Sequence, residues 1–258
     1  MKLSVVIPAR NEEGAVEETL SALLRTLHAA GIPCELVVVD DGSTDKTALL
    51  VRALAARYSE MRLVQNTGRH GFGMAVRCGL QEATGDAVAI VMADGSDSPE
   101  DVVQCYRRLL EGPDCVFGSR FVRGAKVIDY PFHKLVLNRL ANWFIQALFG
   151  VPFNDFTNAF KLYRREVIEG LQPLISPHFN LTVEMPLKAI TRGYAFAVVP
   201  ISWTNRQTGI SKLKIKEMGS RYLFIVLYVW LEKHLAQGDY HRRHNAEQPK
   251  AGLNMHHV

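Results

Sequence analysis

The chain has little sulfur chemistry. Its 258 residues include four cysteines, Cys34, Cys78, Cys105 and Cys115, with no Cys-x-x-Cys spacing. That favours buried free thiols of a reducing compartment over disulfides or a metal site. Long apolar runs are also missing. The stretch Tyr222–Leu231 is apolar all round but stops after ten residues, well short of the roughly 20 that span a bilayer. The opening MKLSVVIPARNEE carries too short an apolar segment for a signal peptide and is expected to be a first strand. Net charge is small: 30 basic against 26 acidic residues leave +4, too little to argue for nucleic acid. Finally, Gly68-Arg69-His70-Gly71-Phe72-Gly73 is a glycine-rich turn without the Gly-x-Gly-x-x-Gly pattern, which disfavours a dinucleotide-binding dehydrogenase. No internal repeat is visible.

Two stretches carry most of the information that is present, VVVDDGSTD (Val37–Asp45) and IVMADGSDSPED (Ile90–Asp101). Each is a run of apolar residues ending abruptly in carboxylates and small residues. Buried parallel strands read this way, and they deliver acids to the C-terminal edge of a sheet, where open α/β folds bind ligands. Strand signals at Leu3–Ile7, Glu35–Asp40, Arg62–Gln65, Ala87–Met92 and Cys115–Gly118 alternate with helical periodicity over Glu12–Ala30, Asp45–Arg57, Phe72–Ala83 and Pro99–Leu110. The pattern predicts an α/β fold with a mainly parallel, doubly wound sheet. Ser43 or Thr44 is the expected cap of the second helix, and Ser98 before Pro99 that of the fourth. Beyond Gly118 the alternation stops. An amphipathic segment Phe132–Phe149, a helix near Thr182–Arg192, a strand at Phe196–Ile201 and the apolar Tyr222–Leu231 follow, with a polar tail from Gly238 expected to be mobile. Acids cluster before residue 101 and bases after residue 119.

Candidate site residues follow from those positions, each with a plainer alternative. Pro8, Arg10 and Glu12 sit where the first strand meets the first helix; Glu12 can equally be a first-turn acid favoured by the helix dipole. Asp40 and Asp41 end the second strand, where a carboxylate can accept ribose hydroxyls or base N–H groups, or simply cap a turn. Asp94 and Asp97 follow an apolar strand expected to be central, as oxygen ligands for a hard cation would. Two acids three residues apart are weak support alone.

Taken in order, VVIPARNEE, VVVDDGSTDKT, ATGD before an apolar strand, the Asp-bearing loop, GSRFVRG (Gly118–Gly124), NDFTNAFKLYRRE (Asn154–Glu166) and VPISWTNRQTGISKL (Val199–Leu213) resemble the family-2 glycosyltransferases of the GT-A (Rossmann-like) fold, in the polyprenyl-phosphate branch that includes dolichol-phosphate mannose synthases. The resemblance covers roughly residues 3–215, and the expected division is a catalytic domain over 1–215, a membrane-proximal helix over 216–237 and a tail over 238–258. It implies an inverting transfer of a sugar from a GDP- or UDP-linked donor to a polyprenyl phosphate, at a cytosolic membrane face, without nucleic acid. It places Pro8, Arg10, Glu12, Asp40 and Asp41 at the nucleotide. Asp94 falls at the diphosphate and a divalent cation, Mg2+ or Mn2+, with Ser96 and Asp97 as further ligands. One departure matters: Met92 stands where the family's Asp-x-Asp motif has its first acid, so metal dependence is less firmly implied than nucleotide-sugar binding.

A phosphate monoester acceptor is already anionic and needs positive charge more than a general base. The resemblance puts Arg120 and Arg206 as the cationic catalytic groups, with Arg123, Lys134 and Lys212 for the acceptor phosphate; Arg suits bidentate phosphate contact. In Phe132–Phe149, the residues Phe132, Leu135, Val136, Leu140, Trp143, Phe144, Ala147 and Leu148 share one helical face, and His133, Lys134 and Arg139 fall away from it. Such a helix fits a bilayer interface or a protein core. Two rival readings are a soluble family-2 enzyme with another acceptor and a nucleotide-sugar-binding module that lost turnover through Met92.

Overall fold

The computed structural model describes residues 1–205 and 215–242. In chain order the elements are β1 (Leu3–Ala9), α1 (Val16–Ala29), β2 (Cys34–Asp40), α2 (Thr47–Ala55), β3 (Met61–Gln65), α3 (Phe72–Glu82), β4 (Ala87–Ile90), α4 (Pro99–Leu110), β5 (Cys115–Ser119), β6 (Lys126–Ile128), α5 (Phe132–Phe149), β7 (Lys161–Arg164), α6 (Arg165–Gly170), α7 (Leu181–Thr191), β8 (Phe196–Pro200), β9 (Ser202–Thr204) and α8 (Ile215–Leu235).

Seven strands form one sheet in the order β3-β2-β1-β4-β7-β5-β8, and β6 pairs with β9 in a small second ladder. The β1 and β2 strands are buried along their whole length, as strands covered by helices on both faces must be. The expected mainly parallel sheet is present, with one addition: β7 runs antiparallel to both neighbours, β4 and β5. One core lies between the sheet and α1 and α4; the other joins the opposite face to α5, α7 and α8. The four cysteines are free, Cys78 half-buried and the others buried.

Several local expectations are corrected. The first helix begins at Val16, because Ala15 and Val16 both donate to the Glu12 carbonyl and residues 10–15 form a turn instead. Neither Ser43 nor Thr44 caps the second helix. It opens after Lys46, and the Asp45 carboxylate takes the Thr47 N–H at 2.9 Å. Ser98 does precede its helix, but its hydroxyl donates to the Glu100 carboxylate and accepts no backbone N–H as a cap would. The strand expected to reach Met92 leaves the ladder after Ile90.

The segment Phe132–Phe149 is a single helix, yet the side it buries is not the apolar stripe. Asn142, Ile145 and Phe149 face inward, while Phe132 is 78% and Trp143 67% exposed, with Leu140 and Phe144 also exposed. Asn142 belongs inside because it accepts the Phe156 N–H at 2.6 Å and donates to Asn138. α8 divides similarly: Ile225, Val226 and Val229 are buried, and Leu223, Phe224, Leu227 and Leu231 are exposed. Among the described residues no helix is long and apolar enough to cross a membrane.

Candidate active site

The loops after β1, β2, β3 and β4 meet at one sheet edge. The first two are stitched together. Asn11, in the left-handed region (φ 53°), donates its N–H to Ser43 Oγ and accepts the Thr44 N–H, while the Glu12 N–H reaches Thr47 Oγ1 at 2.8 Å. The backbone around Pro8, Arg10 and Glu12 is thereby fixed against the β2 loop. Asp40 uses its carboxylate on its own turn, accepting the Ser43 N–H. Asp41 is the better-placed acid. Its Oδ2 accepts the Gly71 N–H at 2.8 Å and lies 3.7 Å from Arg10, and its Oδ1 accepts from Asn66 at 2.7 Å and contacts His70 at 3.2 Å. A buried carboxylate so ringed by donors orders the 66–71 loop as well as presenting charge to a ligand. Gly42 is required here: its φ is +74°, and a Cβ would lie 2.8 Å from the His70 ring.

After β4, Asp94 accepts the Ser96 N–H through Oδ1. Asp97 is buried and accepts the Met92 N–H at 2.9 Å. Burial pushes its pKa up to about 7, with Asp94 adding to the rise and Arg120 opposing it. The loop is clamped from the other side, where Asp97 bridges to Trp203 and Thr204 donates to the Ser96 carbonyl. Among the described residues no cluster of three His, Cys, Asp or Glu side chains is arranged to hold a cation. Met92 offers a soft thioether, so the hard oxygen donors of this loop are Asp94, the buried Ser96 hydroxyl and Asp97. That set fits a cation only if a bound ligand supplies further oxygens.

Arg120 directly follows β5 and is held by a residue to which sequence reasoning gave no role. Asp155 receives the Arg120 backbone N–H and Nε, both at 2.9 Å, and Nη2 at 2.7 Å. The guanidinium lies over the rings of Phe121, Tyr130 and Trp203, 5.3, 5.5 and 5.6 Å from their centroids. Burial alone would lower the pKa of Arg120; the Asp155 carboxylate more than offsets that, and the group stays charged. Beneath the pair, Lys161 on β7 donates to the carbonyls of Phe156 and Asn158. Burial pulls its pKa down to about 7, against the attraction of Asp155.

Arg123 is exposed in the turn after β5 and Lys134 half-buried on the first turn of α5. Arg206 and Lys212 lie outside the described residues. Tyr130, Trp203 and Asn138, which donates to Thr157 at 2.6 Å, were also missed as neighbours of this site. The signal available was Asp155 itself, an acid set between Phe153 and Phe156.

Residues 4–171 match Glycosyl transferase family 2. The chain belongs to that family. Family 2 membership makes it a nucleotide-sugar-dependent glycosyltransferase. It is 34% identical over 215 residues to polyprenol monophosphomannose synthase of Mycolicibacterium smegmatis, covering 81% of this chain and 80% of the relative. It is 32% identical over 222 residues to dolichol-phosphate mannosyltransferase of Pyrococcus furiosus, covering 84% of this chain and 60% of that longer protein. Among solved structures, glucosyl-3-phosphoglycerate synthase of Mycobacterium tuberculosis, in complex with Mn2+, UDP and glucosyl-3-phosphoglycerate, superposes with a TM-score of 0.67 at 22% identity, covering 90% of this chain and 79% of that one. Its apo form gives 0.64 over 90% of this chain and 80% of that one. At this identity the likeness shows a shared fold.

Proposed function

We propose that this glycosyltransferase moves a sugar, with inversion, from a nucleotide diphosphate donor to the phosphate of a polyprenyl lipid at a membrane surface. The observation that carries the reading is the 34% identity, over four-fifths of both chains, to an enzyme named for polyprenol phosphate. The geometry of this chain supports it in three ways. First, Asp41, braced by Asn66 and Gly71, gives the nucleoside a fixed hydrogen-bond acceptor at the sheet edge. Second, Arg120 is pre-oriented by Asp155 and sheltered by three rings, so its charge meets an incoming phosphate without reorganisation at the moment of reaction. Third, the exposed apolar face of α5, adjoining Lys134, offers an isoprenoid or headgroup region a surface that a soluble acceptor would not need.

The acceptor phosphate is the nucleophile and is anionic near neutral pH, so no side chain has to remove a proton from it. Arg120, with Arg123 and Lys134 at the same end of the fold, would hold it; Arg206 and Lys212 are assigned the same task by motif. Asp94, with Ser96 and Asp97 behind it, would hold a Mg2+ or Mn2+ ion together with the donor's diphosphate. Such an ion supplies Lewis-acid stabilisation of the leaving diphosphate. The buried position of Asp97 and its bond to the Met92 N–H support an orienting task in that loop more than direct ligation.

Membranes containing polyprenyl phosphate, incubated with radiolabelled GDP- and UDP-sugars, test the proposal. Organic-extractable label that depends on both the protein and the lipid phosphate is expected. Label that appears only on water-soluble products would overturn the lipid acceptor and favour a soluble acceptor.

A further inference from the structure

Phe121 carries two guanidiniums. Arg120 lies over its ring 5.3 Å from the centroid, and Arg139, on α5, lies over the same ring at 4.5 Å. The ring is a fixed perch: the Phe121 N–H donates to Ser119 Oγ at 3.1 Å, and Asn154 donates to the Phe121 carbonyl at 3.1 Å. The residue before Arg139 ties α5 to the same place, since Asn138 donates to the Thr157 hydroxyl, which also lies 3.4 Å from Arg120 Nη2. Among the described residues no acid pairs with Arg139; the Phe121 ring is what holds its guanidinium. Periodicity alone put Arg139 away from the apolar stripe of α5, and the structure sets it at the rim. Val136, three residues before, and Trp143, four after, are its neighbours on the helix surface, and both are exposed. Arg139 thus has an open apolar surface on one side and the Phe121–Arg120 cluster on the other.

We propose, on the lipid-phosphate reading above, that Arg139 is an acceptor-binding residue: it takes the phosphate where the isoprenoid chain leaves the apolar face of α5 and shares it with Arg120. Charge shows why a second cation is needed. Asp155 already matches the single charge of Arg120, so that pair is close to neutral as a whole, while a phosphate monoester near neutral pH carries about −1.5 to −2. An arginine without a carboxylate of its own supplies the missing charge together with a planar fork suited to phosphate oxygens. Stacking on Phe121 holds that fork in place and leaves its N–H groups free to donate. A solvated arginine resting on a ring is the plainer alternative, and the two make opposite predictions.

Steady-state transfer to a three-isoprene phosphate, presented in micelles of an uncharged detergent, separates them. Arg139→Gln should raise the KM for the lipid phosphate by about tenfold, the size of one charge-assisted contact. Its kcat and its KM for nucleotide sugar should stay within about twofold of wild type, the pattern of a lost binding contact. Arg139→Lys keeps the charge without the fork and should recover part of the loss, and Phe121→Leu should raise the lipid KM by less than Arg139→Gln does. Going from about 50 to about 500 mM salt should weaken lipid-phosphate use by the wild type more than by Arg139→Gln. Arg107→Gln, exposed on α4, should match the wild type throughout. The melting temperature of Arg139→Gln should stay within about 4 °C of wild type, since an exposed stacked cation contributes little to folding. An unchanged lipid KM in Arg139→Gln, an equal rise in the KM for nucleotide sugar, or a fall in kcat at unchanged KM would overturn the proposal. A wild type that glycosylates no lipid phosphate would remove the acceptor reading and the task of Arg139 together, whereas transfer with equal lipid KM in wild type and Arg139→Gln would remove only the latter.

Discussion

Replacing Asp155 by Asn removes one negative charge from the buried end of β5 while nearly preserving shape. The wild-type carboxylate takes three hydrogen bonds from Arg120, and both side chains are buried. Removing one partner of such a pair leaves a desolvated charge uncompensated, which costs about 3–5 kcal/mol. An amide oxygen can still accept one or two of the three bonds, so the lower end, about 3 kcal/mol, is expected. For a chain of this size that corresponds to a fall of roughly 6–12 °C in melting temperature. Calorimetric or circular-dichroism melts of wild type, Asp155→Asn, Asp155→Leu, Arg120→Met and the double variant Arg120→Met/Asp155→Leu read it out. The double variant, with no buried charge of either sign from this pair, should recover much of the lost stability while remaining inactive in transfer. Its loss should fall short of the sum for the two positions by more than about 1 kcal/mol. A melting temperature for Asp155→Asn within 2 °C of wild type, or strictly additive losses, would refute the claim that this pair is the buried strut of the acceptor end.

Three further perturbations have defined outcomes. Trp143→Glu should leave the melting temperature nearly unchanged, because the ring is largely exposed, and should reduce liposome flotation; unfolding would instead assign that face to the core. Lys161 has its folded pKa lowered to about 7 by burial, from an ordinary 10.5. Between those values the unfolded chain binds the extra proton, so wild-type stability should rise with pH from about 7 towards 10.5 by a few kcal/mol. Lys161→Met should lack that rise in urea titrations across the range, and an unchanged slope would contradict it. Gly73→Ala would set a Cβ 2.3 Å from the Ser176 carbonyl oxygen and 2.9 Å from that of His178. Since backbone cannot step aside cheaply, a loss of about 1–3 kcal/mol in chemical denaturation is expected, and a neutral effect would mean that the 176–178 segment is looser than drawn.

The parallel half of the sheet was legible because each strand is a short apolar run closed by acids or small residues, and each crossover is a helix with its own period. β7 was not. It is four residues long, its first residue is a lysine that ends up buried, and its place between β4 and β5 is fixed by pairing partners more than forty residues away. Periodicity carries no such information. β6 and β9 are three residues each and pair with one another across more than seventy residues of chain, again a long-range fact. On the candidate site, the acids at the ends of β2 and β4 stood out in the sequence because position and residue type coincide. The division of labour within each pair was not readable: Asp40 serves its turn while Asp41 gathers donors, and Asp97 folds back onto the Met92 N–H. The Arg120–Asp155 pair escaped because its partners are thirty-five residues apart and only tertiary structure brings them together. For the long helix the period was legible in the sequence, but which side turns inward was not, since the buried residues include Asn142, a polar side chain that holds the loop at Phe156.

The central claim is that this site transfers a sugar to a lipid phosphate. Its most direct test uses the purified chain, a defined polyprenyl phosphate, one nucleotide sugar at a time and a divalent cation, with the lipid fraction read by mass spectrometry. The account predicts a polyprenyl phosphate one hexose heavier, formed with release of nucleoside diphosphate, absent when the lipid phosphate is omitted and absent in Asp94→Ala. Release of nucleoside diphosphate with no mass gain on the lipid, or full lipid glycosylation by Asp94→Ala, would contradict it.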